Sequence, residues 1–304
     1  MTEHPLIAGT RGSRLARWQT RHVLDALTAA WPGIVCTERV VSTRGDRVLD
    51  TPLPLIGGKG LFTEELEAAL RAGEIHLAVH SLKDLPTDPT PGLVLGAVLR
   101  RGPVGDVLVA RVPHTLSSLP EGARVGTSST RRAAQVRHVR PDLRVEPIRG
   151  NVDTRLAKVQ QGDYEAAVLA AAGLERLGLR AAMTPLPFDV MLPAPGQGAL
   201  AVQCRADDER TRTLLAALDD EPTRRATEAE RAFLRALGGG CATPVAALAG
   251  VAADGTLHLT GLVASPDGRR VLRREARGTT PHDLGEELAD RLLAAGADAL
   301  LHHA

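Results

Sequence analysis

Apolar positions in the first two thirds of the chain switch repeatedly between strand-like runs and helical spacing. Leu6–Ala8 is a short apolar run. Leu15, Trp18, His22/Val23, Leu27 and Trp31 then recur at three- to four-residue intervals, which predicts a helix ended by Pro32-Gly33. Ile34–Val41 predicts a second strand. Phe62, Leu66, Ala69 and Leu70 form one helix face, with Gly73 at the C-cap. Ile75, Leu77 and Val79 alternate as a strand that runs into His80-Ser81-Leu82-Lys83-Asp84-Leu85-Pro86. A similar set follows from about Gly105. Strands are expected at Arg124–Gly126, Val145–Ile148 and Ala166–Ala170. Helices are expected over Thr127–Arg137, Asn151–Gln161 and Gly173–Leu177. Such alternation predicts α/β domains with largely parallel sheets. Pro185–Pro195 reads as a connection, and Ala199–Cys204 as a returning strand.

A weak internal echo points to two related domains. Gly9-Thr10-x-x-Ser13-Arg14-x-Ala16 recurs as Gly126-Thr127-x-x-Thr130-Arg131-x-Ala133, each copy bridging a strand and a helix. The last third changes character. Thr223 is placed to cap a helix with Ala226, Ala229, Phe233, Leu234 and Leu237 on its apolar face, stopping at Gly238-Gly239-Gly240. Val245–Val251, Leu257–Ala264 and Arg270–Ala276 are expected strands joined by Asp254-Gly255 and Pro266-Asp267-Gly268 turns. Thr280-Pro281 opens a final helix. This is an α+β pattern.

Composition narrows the class. The 304 residues, 43% of them hydrophobic, are enough for two or three folded domains. No apolar run approaches 18 residues, and the first residues lack the basic start and apolar stretch of a secretory signal. Three scattered cysteines make no disulfide framework, so a reducing cytoplasm is the expected compartment. A net charge of +1 gives no global field to draw nucleic acid or membrane. The basic residues are lopsided, however. Only Lys59, Lys83 and Lys158 are lysine among 37, and the rest are arginine. Coding bias accounts for the excess but not for its placement.

Ligands of open α/β sheets bind beyond the carboxyl ends of the strands. Arg11, Lys83, Arg131, Arg132, Arg149, Arg155 and Arg176 fall at such places. A cation in a helix's first turn costs about 0.3–1 kcal/mol by itself and becomes favourable when an anion occupies the site. The set therefore points to a polyanion cleft between two α/β domains. Neither a P-loop nor a G-x-G-x-x-G pattern is present, so carboxylate suits these forks as well as phosphate. Asp84 is an acid amid these cations, which keep it ionised; pairing with a backbone amide is its plainer role. Cys36 and Cys204 lie in apolar strands and read as structural. Cys241 follows three glycines where no core demands it, so an accessible, reactive thiol competes there with a structural one. His76 and His80 are four apart on a strand, and His302-His303 end the chain, so no metal site is supported.

Several segments together resemble one family. They include Thr10-Arg11-x-Ser13-x-Leu15-Ala16, Thr43-Arg44-Gly45-Asp46, Gly57-Gly58-Lys59-Gly60-Leu61-Phe62 and Ala78-Val79-His80-Ser81-Leu82-Lys83-Asp84-Leu85-Pro86. Gly126-Thr127-Ser128-Ser129-x-Arg131-Arg132, Arg149-Gly150-Asn151-Val152-x-Thr154-Arg155-Leu156, Ala172-Gly173-Leu174-x-Arg176-Leu177, Pro195-Gly196-Gln197-Gly198 and Gly239-Gly240-Cys241 complete the set. The chain resembles the porphobilinogen deaminase, or hydroxymethylbilane synthase, family. That resemblance implies two periplasmic-binding-protein-like α/β domains with hinge segments and a smaller C-terminal α+β domain. The expected boundaries are 1–99 with 199–217, then 104–193, then 222–304. The first domain is discontinuous, its sheet completed by the later segment Ala199–Cys204.

The resemblance further implies head-to-tail condensation of four porphobilinogen molecules on a dipyrromethane primer, with release of ammonia at each step. The product is the linear tetrapyrrole hydroxymethylbilane, of the heme pathway. The primer is held by a thioether to Cys241, and Asp84 is the central catalytic group. Lys83, Ser129, Arg131, Arg132 and Arg155 take the primer. Arg11, Ser13, Lys59, Phe62, Arg149 and Arg176 take incoming substrate or the growing chain. A monomer is expected, acting on porphobilinogen without nucleic-acid or membrane partners. Helix capping is the plainer role for Ser13 and Ser129, and core packing for Phe62. Thr130 stands where the family usually has leucine or proline. Ala242-Thr243 follows the cysteine where longer polar residues are common. Two competing classes remain: a non-catalytic carboxylate-binding protein of two hinged lobes, and a lysine Schiff-base lyase using Lys83 or Lys59. The first leaves the Lys83-Asp84 pair and the Cys241 thiol without a use. The second needs an apolar pocket around a lysine, and both lysines sit in polar loops.

Overall fold

The computed structural model describes residues 5–43, 45, 63–240 and 243–301. Strands β1 (Leu6–Thr10), β2 (Cys36–Val40), β3 (Leu77–Ser81) and β4 (Leu93–Val98) come first. β5 (Asp106–Ala110), β6 (Arg124–Gly126), β7 (Arg144–Glu146), β8 (Ala166–Ala170) and β9 (Ala182–Pro185) follow. β10 (Leu200–Arg205), β11 (Val245–Val251), β12 (Leu257–Ala264) and β13 (Val271–Gly278) come last. The helices are α1 (Arg14–Ala30), α2 (Glu64–Arg71), α3 (Thr130–Val139), α4 (Val152–Gln161) and α5 (Ala171–Arg176). They continue with α6 (Glu209–Ala216), α7 (Glu221–Ala236), α8 (Pro281–Ala294) and α9 (Asp298–Leu301).

Two compact units emerge. One holds the described residues up to 102 together with 199–224, and the other holds 103–198 with those from 225 onward. In the first, the sheet order is β2-β1-β3-β10-β4. β1 pairs in parallel with β2 and β3, whereas β10 runs antiparallel between β3 and β4. Val23 and Leu27 of α1 cover one face with Leu6, Leu77 and Val202. Leu66 and Leu70 of α2 cover the other with Ile75 and Ala78. Burial on both faces explains why the inner strands β1 and β3 are largely apolar, whereas the edge strand β2 carries Thr37, Glu38 and Arg39.

The second unit contains two sheets. One has the order β7-β6-β8-β5-β9, with β6 parallel to β7 and β8, and β5 antiparallel to β8 and β9. Its layout repeats that of the first sheet. Ala8 pairs with Leu77 as Val125 pairs with Ala166, so Gly9 and Gly126 are equivalent. Both meet a close neighbour: a Cβ on Gly9 would lie 2.4 Å from Ile75 Cδ1, and one on Gly126 would lie 3.0 Å from Ile148 Cδ1. The same register makes Ser81, paired with Leu200, equivalent to Ala170, paired with Asp106. The other sheet is the antiparallel β11-β12-β13. Phe233 of α7 and Leu288 of α8 pack on it with Ala247 and Leu259. The architecture is thus α/β plus α+β.

Four local readings change. The helix assigned to a Thr223 cap starts earlier, at Glu221, and Asp220 Oδ1 accepts from Thr223 N at 3.0 Å. Thr223 Oγ1 instead accepts from Arg101 N. The echo shifts by one residue, because α3 is capped by Ser129 and not by Thr130. β4, β9, α6 and α9 were not foreseen; β9 is a four-residue edge strand ending in proline, too short for a periodic signal. No helix among the described residues is long and apolar enough to cross a membrane.

Candidate active site

In the first unit, Ser13 caps α1, its Oγ accepting from Ala16 N at 3.2 Å. Arg11 lies between the end of β1 and this cap. β3 leads into a short 3-10 turn, Leu82–Asp84. Leu82 anchors the turn: it is 1% exposed, and its N–H donates to Ala199 O at 3.1 Å. Lys83 is half-buried and Asp84 is exposed at the end of the turn. A buried leucine thus carries a carboxylate out to solvent at the carboxyl end of a parallel strand. His80, on β3, is buried. Burial holds its imidazole down at about 4, with the Arg11 charge adding to the effect and a Gln203 hydrogen bond opposing it.

In the second unit, Ser129 Oγ caps α3 by accepting from Arg132 N at 3.4 Å. The next two side chains turn inward. Arg131 and Arg132 are 4% and 6% exposed, and both reach Asp106, which is 1% exposed. Arg131 Nη2 lies 2.8 Å from Asp106 Oδ2, and Arg132 Nη2 lies 2.7 Å from Oδ1. Arg131 Nη1 donates to Leu192 O at 2.6 Å, and Arg132 Nη1 to Val168 O at 3.1 Å. Burial pushes the Arg131 guanidinium below its ordinary range, against the pull of Asp106, and Arg132 adds to the lowering. Arg155 lies in the second turn of α4, and its Nε donates to Gly150 O at 2.8 Å. Gly150 has φ +110, open to glycine and strained for other residues. Arg149, half-buried, precedes it, and its carbonyl accepts from Lys158 Nζ at 3.4 Å. Arg176 ends α5, where its Nη2 donates to Gly198 O at 2.6 Å; burial lowers its pKa as well.

Asp106 was not singled out from the sequence, although an acid heading an otherwise apolar strand is a signal. It supplies an internal anion for the arginines in the first turn of α3, which spacing alone assigned to a ligand. Two guanidiniums facing one carboxylate still leave one net positive charge. Lys59, Phe62 and Cys241 lie outside the described residues. Gly240 and Thr243, on either side of 241–242, are joined by hydrogen bonds, Thr243 Oγ1 donating to Gly240 O at 2.7 Å.

Two family models match this chain. "Porphobilinogen deaminase, dipyromethane cofactor binding domain" covers residues 6–213. The chain belongs to the porphobilinogen deaminase family. The C-terminal domain model of the same family covers 225–294. A porphobilinogen deaminase from Moorella thermoacetica is 53% identical over 96% of this chain and 94% of its own length. One from a Roseiflexus species is 54% identical over 97% of this chain and 98% of its own. The family's cofactor is a dipyrromethane, and an observation on α3 tests its fit. Arg131 Nε is buried with no hydrogen-bond partner among the described residues. An orphaned buried donor costs about 1–3 kcal/mol, and a ligand carboxylate would satisfy it. The residues present fit the group. Among solved structures, the BvgS VFT2 domain of Bordetella pertussis is similar at 18% identity and a TM-score of 0.42, over 72% of this chain and 88% of that one.

Proposed function

We propose that this porphobilinogen deaminase carries its chemistry on Asp84 and holds its ligands by a division of labour among the cations. The family condenses four porphobilinogen molecules into hydroxymethylbilane with release of ammonia. Each porphobilinogen brings an acetate and a propionate. When bound, the dipyrromethane supplies the pyrrole carbon onto which the chain grows. The protein's part is binding, orientation and charge.

Asp84 acts through an ionised carboxylate. It accepts hydrogen bonds from pyrrole N–H donors and stabilises positive charge developing on the ring nitrogen as ammonia leaves. Its exposed position on the turn after β3 is the single observation that carries this reading. Lys83, Ser129, Arg131, Arg132 and Arg155 hold the primer, whose thioether is at Cys241. Arg11, Ser13, Arg149 and Arg176, with Lys59 and Phe62, meet incoming porphobilinogen and the lengthening chain. We further assign working domains to 1–99 with 199–217, to 104–193 and to 222–304, and a monomeric, cytoplasmic state.

Intact-mass measurement with peptide mapping tests the assignment. A mass exceeding the polypeptide by two deaminated porphobilinogen units, mapped to Cys241, is expected. No pyrrole attachment after incubation with porphobilinogen, and no tetrapyrrole formed, would overturn it. Pyrrole on a Cys241→Ser variant would show another thiol to be the anchor.

A further inference from the structure

The Asp106 cluster has a fourth member that no role above uses. Gln197 is 0% exposed, and its Nε2 donates to Asp106 Oδ1 at 2.8 Å and to Val104 O at 2.8 Å. Oδ1 therefore receives Gln197 as well as Arg132, whose Nε is 3.2 Å and Nη2 2.7 Å away. Oδ2 is left to face Arg131. The amide divides the carboxylate between the two guanidiniums instead of leaving it to rotate towards one of them.

The backbone around Gln197 is fixed by side chains from other elements. Gly196 N donates to Glu230 Oε2 of α7 at 2.6 Å, and Gly198 O accepts from Arg176. Gln197 N closes a turn on Ala194 O at 2.9 Å. Gly196 and Gly198 hold φ +73 and +86, so the segment takes a path that other residues would strain. Such anchoring places a neutral donor, at a defined point, against a buried acid. A leucine at 197 would leave Asp106 one donor short. A glutamate would cancel the remaining positive charge.

We propose that Gln197 and Asp106 are positioning residues: they fix the Arg131 and Arg132 forks and preserve one net positive charge there for a ligand carboxylate. The proposal rests on the reading that these two arginines hold the primer. The charged groups facing the Gln197 amide are Asp106 of β5 and Arg132 of α3, with Arg131 beyond Asp106. Glu230 and Arg176 meet the backbone on either side. Glutamate at 197 would put a second carboxylate in the cluster, and its protonation would restore a glutamine-like neutral group.

The test is steady-state kinetics of the primer-carrying Gln197→Glu enzyme across pH. At pH 8, turnover should fall about tenfold with KM for porphobilinogen within about twofold of the parent, as expected for the loss of one charged contact to the primer. Turnover should recover towards the parent value as the pH falls to about 6, a limb the parent lacks. A pH profile overlaying the parent's would overturn the proposal. So would a loss in KM and thermal midpoint with no recovery on acidification, the mark of a packing defect. Gln197→Met keeps the length and removes both donors. It should lower turnover at every pH, and parent-like turnover would also overturn the proposal. Intact mass of Arg132→Leu separates the two layers. If that variant keeps its full primer, the reading of the arginines fails, and this inference fails with it. If it loses primer while Gln197→Glu behaves as the parent, only this inference falls.

Discussion

The first sheet and its counterpart in the second unit share a strand layout yet differ at equivalent positions. Matched by their caps, Ser13 with Ser129, the next helical turns read Arg14-Leu15-Ala16 and Thr130-Arg131-Arg132. Gln19 and Gln135 then coincide, both 3% exposed. In the strand register, Leu200 of the first sheet stands where Asp106 stands in the second. One copy has an apolar set, and the other replaces it with two bases and an acid. After the third parallel strand the contrast reverses: the first copy has Lys83-Asp84, and the second has Ala172-Gly173 at the equivalent positions. The scaffold does not require charge at either place. A repeat that folds without these charges supports the proposed reading of them as groups for chemistry and ligand binding.

Breaking the ionic set should have the largest effect. Asp106→Asn leaves two buried guanidiniums facing each other and should cost about 3–5 kcal/mol of stability. The triple variant Arg131→Leu, Arg132→Ala and Asp106→Leu copies the first sheet's solution. It should recover stability to within about 1 kcal/mol of the parent or exceed it, as apolar replacements of buried ion pairs often do. It should carry no primer. Thermal unfolding and intact mass check both halves. A triple variant as unstable as Asp106→Asn would show that the two sheets are not interchangeable there.

Changing the turn proposed to carry the chemistry comes next. Asp84→Asn should lower turnover by about 10²-fold, equivalent to about 2.7 kcal/mol of transition-state stabilisation. Because Asp84 is exposed, the thermal midpoint should not move. Turnover near the parent value would remove Asp84 from the mechanism.

The sequence showed much of this and concealed the rest for identifiable reasons. Short apolar runs marked β1, β3 and β8, because strands buried on both faces are apolar along most of their length. The echo was visible but misaligned: three residues separate Gly9 from Ser13, and two separate Gly126 from Ser129. Such a loop difference moves a cap without changing any residue type. The arginines were found by position, but Asp106 was not, because whether an acid is buried depends on partners distant in sequence. Asp106 and Gln197 come from opposite ends of the second α/β sheet's segment. Gln197 was seen only as part of a motif for the same reason.

His80 sharpens the comparison at a smaller scale. Its equivalent in the second sheet is Leu169, an apolar residue at the same depth. The unfolded imidazole titrates near 6.5 and the folded one at about 4. Between those values the unfolded chain binds more protons, so stability is full above about 6.5 and is lost as the pH falls. One pKa unit corresponds to about 1.4 kcal/mol, so moving from pH 7 to pH 5 should cost about 2 kcal/mol through this group. His80→Leu should remove that part of the slope in denaturant titrations at the two pH values. An unchanged slope would place the acid sensitivity in other groups.

The smallest expected effects separate scaffold from function most directly. Ser13 and Ser129 make the same contact, each Oγ accepting from the amide three residues on, at 3.2 and 3.4 Å. Replacing either with alanine should cost about 1 kcal/mol, the usual value of a lost N-cap. Equal stability losses are the expectation from geometry. Function should not divide equally. Ser13→Ala should raise KM for porphobilinogen and leave the primer in place, whereas Ser129→Ala should slow primer loading and leave KM of the loaded enzyme alone. Intact-mass time courses of apoenzyme with substrate, beside steady-state kinetics, resolve the two. If both variants lose stability and neither loses function, the two serines are caps alone, and the ligand-binding difference between the copies lies wholly in their charged residues.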